Sequence, residues 1–204
     1  MMRCPCAGLP AGIAALGVIL ALCAGVAYAA ADSKTFEYPT LRYGVALPAG
    51  CRHEEGPGTL DAVCSSDLDP EKSAQASAAS ALVLEVGAET VPADGGAAAA
   101  DLAQRYGETH FKEELAEAVC GEADRAKVKI DSPKQVLEDT RVVYTAAVTC
   151  PEIKFLGLGE RRAQVRFTIT PGMRYRVMAR ALKDDFDKRK EVVDAFFASF
   201  RILP

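Results

Sequence analysis

The chain has 204 residues, half of them apolar and a quarter charged, with a formal net charge of −4. That balance describes a folded protein of ordinary size and excludes disordered and collagen-like classes. A mildly acidic chain also lacks the basic footprint that neutralises phosphates, which argues against general nucleic-acid binding.

The chain opens with a leader. Arg3 supplies a short positive region, residues 13–26 are an apolar run too short to span a bilayer comfortably, and Ala27-Tyr28-Ala29 reads as a cleavage site. Residues 1–29 are therefore expected to be a secretory signal peptide, leaving 30–204 as a single domain. Loss of Arg3 takes the formal charge from −4 to −5. Leu22 precedes Cys23, which argues against a lipidated cysteine at the cleavage point.

Cleavage would remove Cys4, Cys6 and Cys23 and keep Cys51, Cys64, Cys120 and Cys150. An even set in an exported chain points to two disulfides in an oxidising compartment, periplasmic or secreted. Three connectivities exist for four cysteines. The pairing that closes the shortest loops is Cys51 with Cys64 and Cys120 with Cys150. No Cys-x-x-Cys occurs beyond the leader and histidine is nearly absent, so neither a metal nor a cofactor is expected.

Residues 36–38 and 41–47 alternate as two short strands, with Tyr43, Val45 and Leu47 on one face. Residues 53–58 read as a turn-rich loop before a strand over 60–64, and 67–80 as an exposed loop. Residues 81–86 are apolar on both faces, the mark of a central strand. Residues 97–119 carry Leu102, Tyr106, Phe111, Leu115 and Val119 at helical spacing, with a shift of stripe near Gly107. Short strands over 127–130 and 134–137 flank Asp131-Ser132-Pro133, and long strands follow over 141–150 and 162–170.

The last unit is an alternating strand, 175–181, then a charged turn and an amphipathic helix to the end of the chain. Val193, Phe196, Phe197 and Phe200 share one helical face, and Asp184 or Asp185 suits the helix cap. Burial of the three phenylalanines would contribute roughly 5 to 8 kcal/mol. If Phe167 and Ile169 share a face with Tyr175, Val177 and Ala179, Thr170 lies opposite Arg174 across a three-residue connection.

The strands ending in Leu47-Pro48-Ala49-Gly50, and the closing strand that feeds a helix ending Phe196-Phe197-Ala198-Ser199-Phe200-Arg201, resemble the PsbP-like fold. That fold, an antiparallel sheet between helices, occurs in photosystem extrinsic proteins, a yeast Ran-binding protein and DcrB-like bacterial envelope proteins. The resemblance implies an α+β, α/β/α chain with a C-terminal amphipathic helix that works as a non-catalytic binding or assembly module. It carries over no site residue.

Two surfaces suit binding. The segment 153–158, with Lys154, Phe155, Leu156 and Leu158, is apolar and flanked by Arg161 and Arg162, which fits contact with an envelope protein or an anionic membrane. Its bland alternative is to fold back over the sheet edge. With the register above, Arg162, Arg166, Arg174, Arg176 and Arg180 line one face, suited to an acidic partner. Otherwise the first helix covers that face and neutralises it with Glu108, Glu113, Glu114 and Glu117. The catalytic alternative is a small hydrolase or lyase using His110 and nearby carboxylates. His53 and His110 are the only histidines, and a surface role is the simpler account of each. Oligomeric state is left open.

Overall fold

Alternation of apolar and polar residues builds two antiparallel sheets in a computed structural model of the chain. The structure describes residues 33–65, 67–76, 81–91, 108–120, 128–138, 141–151 and 159–204, with side chains in the 108–120 segment from residue 113 onward. The expected leader, the segment 153–158, the side chain of His110 and the first part of the 97–119 helix lie outside the described residues.

The smaller sheet joins β1 (Ser33–Tyr38), β2 (Tyr43–Pro48) and β10 (Arg201–Ile202), with β2 in the middle. Among the described residues the larger has seven strands: β3 (Arg52–Gly56), β4 (Thr59–Cys64), β5 (Leu82–Thr90), β6 (Lys129–Glu138), β7 (Arg141–Cys150), β8 (Arg161–Thr170) and β9 (Met173–Leu182). Their spatial order is β3-β4-β5-β9-β8-β7-β6. The helices are α1 (Pro70–Gln75), α2 (Glu108–Cys120), α3 (Lys183–Lys188) and α4 (Lys190–Ser199).

Two apolar clusters hold these elements. The first gathers Leu60, Leu82, Leu84, Val86, Tyr175, Val177 and Ala179 from one face of the large sheet, with Tyr43, Val45 and Leu47 of β2 and Val193, Phe196 and Phe197 of α4. Tyr43 meets Tyr175 edge-on and Phe200 in a stacked arrangement, at ring centroid distances of 6.3 and 6.1 Å, so aromatic contacts join the two sheets to the residue that ends α4. The second gathers Val142, Tyr144, Val165, Phe167, Ile169 and Met178 from the opposite face, with Leu115 and Val119 of α2.

This two-sided burial corrects the expected register. Thr170 lies opposite Met173, not Arg174, so Pro171 and Gly172 alone connect β8 to β9. Gly172 takes φ +85°, the value that the second central position of a type II turn requires, and Pro171 suits the first. Phe167 and Ile169 consequently face away from Tyr175 and Val177. Each set is buried under a different cover, so no shared face was needed.

Other elements also differ from expectation. Residues 52–56 form strand β3, not a loop: its side chains are polar because it is an edge strand, and apolar periodicity is absent there. The 67–80 stretch contains α1, started by the Asp69 carboxylate, which accepts from the backbone N–H groups of Glu71 and Lys72, with Pro70 at the first position. The two strands expected around Asp131-Ser132-Pro133 are one strand, β6, with a register shift there and Ser132 at φ +50°. The closing helix is broken into α3 and α4 at Arg189, and β10 follows it. Asp184 and Asp185 sit in the first turn of α3, while its cap position is Leu182.

Arg189 explains the break. It is buried, and its Nη1 donates to the carbonyls of Cys64 and Ser65, both at 3.0 Å, while Nε donates to the carbonyl of Asp185 at 3.2 Å. A guanidinium at the junction thus holds the end of β4. Beside it, Cys51 is joined to Cys64, and on the other half of the large sheet Cys120 at the end of α2 is joined to Cys150 at the end of β7.

Candidate functional site: a charged groove on the large sheet

Strand alternation places Leu60, Ala62 and Cys64 in the first cluster, which turns Asp61 and Val63 to the other face. The same logic turns out Val83 and Glu85 of β5 and Arg176 and Arg180 of β9. The pairing then sets these residues in rows across the sheet. Glu54, Asp61 and Glu85 are directly opposed across β3, β4 and β5. The next row runs Arg52, Val63, Val83, Arg180, with an arginine at each end and two valines between. Together they line a groove of about 220 Å³.

Three carboxylates in register repel unless compensated. The outer two are compensated. Arg52 lies 3.6 Å from Glu54, and Arg176, which lies opposite Gly87, pairs with Glu85. The central Asp61 forms no ion pair among the described residues, and its Oδ1 is buried without a hydrogen-bond partner. Burial first, and Glu85 second, push its carboxyl above the ordinary value of 3.8, against the opposing pull of Arg176 and Arg180.

On the adjoining row the Nε of Arg180 is likewise buried and unpartnered, and Arg180 forms no ion pair among the described residues. Arg161 projects from β8 on the same face, and burial together with Arg180 lowers its pKa. The groove therefore has a carboxyl end on β4 and a guanidinium end on β9, offset by one residue pair along the strands and two strand spacings across them, about 12 Å between backbone positions. Valines floor the space between.

The sequence-predicted binding residues do not form one surface. Lys154, Phe155, Leu156 and Leu158 lie outside the described residues. Arg161 and Arg176 are on the groove face, while Arg162 and Arg166 are on the opposite one, because the two-residue hairpin connection inverts β8 relative to the expectation. Arg162 pairs with Asp187 at 2.7 Å, and Arg166 sits over the Phe197 ring at 5.6 Å and donates to the Phe197 carbonyl. Neutralisation by the first helix is seen for part of the arginine row: Glu114 of α2 pairs with Arg174 at 2.6 Å and with Arg176 at 3.5 Å.

Asp61, Glu85 and Arg180 were missed as a group. The available signal was an acid interrupting each of two apolar strands, Asp61 between Leu60 and Ala62, and Glu85 between Leu84 and Val86. Among the described residues, no group of three or more His, Cys, Asp or Glu is placed to hold a metal ion.

Neither a family model nor a curated protein sequence matches the chain. Solved structures do. The cyanobacterial PsbP (CyanoP) from Synechocystis sp. PCC 6803 aligns with a TM-score of 0.53 at 16% identity, over 84% of this chain and 92% of that one. LpqN of Mycobacterium tuberculosis, involved in cell envelope biogenesis, aligns with a TM-score of 0.52 at 9% identity, over 84% of this chain and 86% of that one. The chain has a PsbP-like fold, mostly antiparallel sheet with a few helices.

Proposed function

We propose that the protein is an extracytoplasmic, non-catalytic binding module that holds a small zwitterionic ligand in the groove on its large sheet. The ligand's cationic group would sit against Asp61, between Glu54 and Glu85, and its anionic group against Arg180 with Arg161 behind. The observation that carries this reading is one groove lined by both Asp61 and Arg180, each of which also holds a buried atom without a hydrogen-bond partner, Oδ1 and Nε. A carboxylate and a guanidinium without ion pairs among the described residues leave uncompensated charge in the groove, which a ligand with complementary groups would offset.

Export is supported by two disulfides, which persist in oxidising compartments, and fits a leader at residues 1–29. The similarity to an envelope-biogenesis protein is compatible with the same setting. We read α2 and α4, on opposite faces of the large sheet, as the outer layers of an α/β/α arrangement with α4 as its amphipathic closing helix. Contact of Lys154, Phe155, Leu156 and Leu158 with an envelope protein or membrane surface belongs to the same reading.

The test is thermal unfolding of the mature protein with free lysine, 1,4-diaminobutane or succinate. A ligand that binds only the folded chain stabilises it by RT ln(1 + [L]/Kd), so the midpoint rises with ligand concentration and affinity. The amino acid should raise it more than either probe that carries charge of one sign only, and both Asp61→Asn and Arg180→Met should remove the difference. No shift with any probe, or an equal shift in both variants, would dismiss the groove.

A further inference from the structure

Among the described residues the large sheet ends at β6, which pairs with β7 on one side only. The exposed large hydrophobic side chains of the described residues are Val136 and Leu137, 37% and 53% exposed, and both belong to this strand. Edge strands of such length are normally blunted by proline, bulges or inward charges, because their free N–H and C=O groups recruit other strands. β6 is blunted in its first half, where Ser132 at φ +50° and Pro133 break the register. From Lys134 to Glu138 it runs regularly, opposite 141–145 of β7.

We propose that this half-strand is a self-association edge: two copies pair antiparallel through β6 about a two-fold axis at Val136, joining their large sheets into one. Symmetry restricts the choices. A two-fold axis perpendicular to the sheet keeps each residue on its own face, so opposed residues share parity and the axis must pass through a residue. Centring on Val136 places Lys134 opposite Glu138 of the second copy, twice, with Val136 opposite itself and Gln135 opposite Leu137. Shifting the axis to Gln135 sets Lys134 against Val136, and shifting it to Leu137 sets Val136 against Glu138. Only the Val136 register opposes unlike charges while covering the exposed aliphatic pair, so charge complementarity selects both the occupant and the register.

An edge-only contact is smaller than a standard interface, so the dimer is weak, with a dissociation constant in roughly the micromolar range. Sedimentation velocity of the mature protein, from low micromolar concentration up to about 1 mM, reads it directly. Lys134→Glu and Glu138→Lys should each weaken association at least about tenfold, since each sets two pairs of like charges face to face. The double variant Lys134→Glu/Glu138→Lys should restore it. Glu138 also pairs with Arg141 within its own hairpin, and the double variant does not repair that contact. Recovery of the dimer in the double variant therefore separates pairing between copies from a hairpin defect. Leu137→Lys, which leaves the charged pair intact, should also favour the monomer. A protein that stays monomeric throughout, or a dimer indifferent to the single reversals or not rescued by the double one, overturns the proposal.

Discussion

Asp61 is the residue at which this fold carries a penalty of its own making. Its carboxyl lies between Glu54 and Glu85, burial raises its pKa, and no described cation pairs with it. The pH dependence follows from proton binding in the two states. Below the ordinary carboxyl value of 3.8 both the folded and the unfolded chain hold the proton, and the group contributes nothing. As pH rises past that value the unfolded chain releases it while the folded chain retains it, so stability falls until the folded group ionises as well. Asp61→Asn should therefore raise the thermal midpoint near pH 7 and leave it unchanged at about pH 3, where the parent carboxyl is already neutral. Loss of stability near neutrality in the variant would show that the carboxylate is compensated after all.

At the scale of elements, α4 depends on the face it buries. Phe196 is 2% exposed and packs edge-on to Phe197 with ring centroids 5.7 Å apart, while Phe200 is only partly buried. Phe196→Ala should cost about 3 to 5 kcal/mol, read from denaturant unfolding, because transfer and cavity penalties add in a core that cannot collapse. Phe200→Ala should cost less. Of the four residues expected to share this face, Val193, Phe196 and Phe197 are buried on α4, while Phe200 lies just past its end in extended backbone, where helical periodicity no longer applies. The β8–β9 register was not legible in the sequence. Phe167 and Ile169 alternate, and so do Tyr175 and Val177, but when both sides of a sheet are buried alternation does not say which side each strand turns inward. Turn chemistry decided it instead, through Pro171-Gly172. The same blindness hid the groove, because Asp61, Glu85 and Arg180 gather only when β4, β5 and β9 are set in their correct registers. β3 was hidden for a simpler reason: an exposed edge of Arg52, His53, Glu54 and Glu55 has no apolar pattern to read.

For the whole molecule, the two disulfides divide the labour of holding the large sheet. Cys51–Cys64 closes a separation of 13 residues at the β3–β4 hairpin, inside the first apolar cluster and next to the carbonyls that Arg189 holds. Cys120–Cys150 closes 30 residues that include β6 and nearly all of β7, and it anchors α2 over the second cluster. On chain entropy alone the two are worth about 3 and about 4 kcal/mol, because the longer loop restricts the unfolded chain more. Their consequences in the folded state differ further. Among the described residues, α2 packs on the second cluster through Leu115 and Val119, and Cys120–Cys150 is its covalent tie to β7. Cys120→Ser/Cys150→Ser should therefore accelerate hydrogen exchange in α2 and β6 ahead of global unfolding, whereas Cys51→Ser/Cys64→Ser should lower the unfolding free energy with α2 protection unchanged relative to the rest of the sheet. Uniform loss of protection across both halves in the first variant would mean that the two clusters unfold as one unit and that α2 has no separate stability to lose.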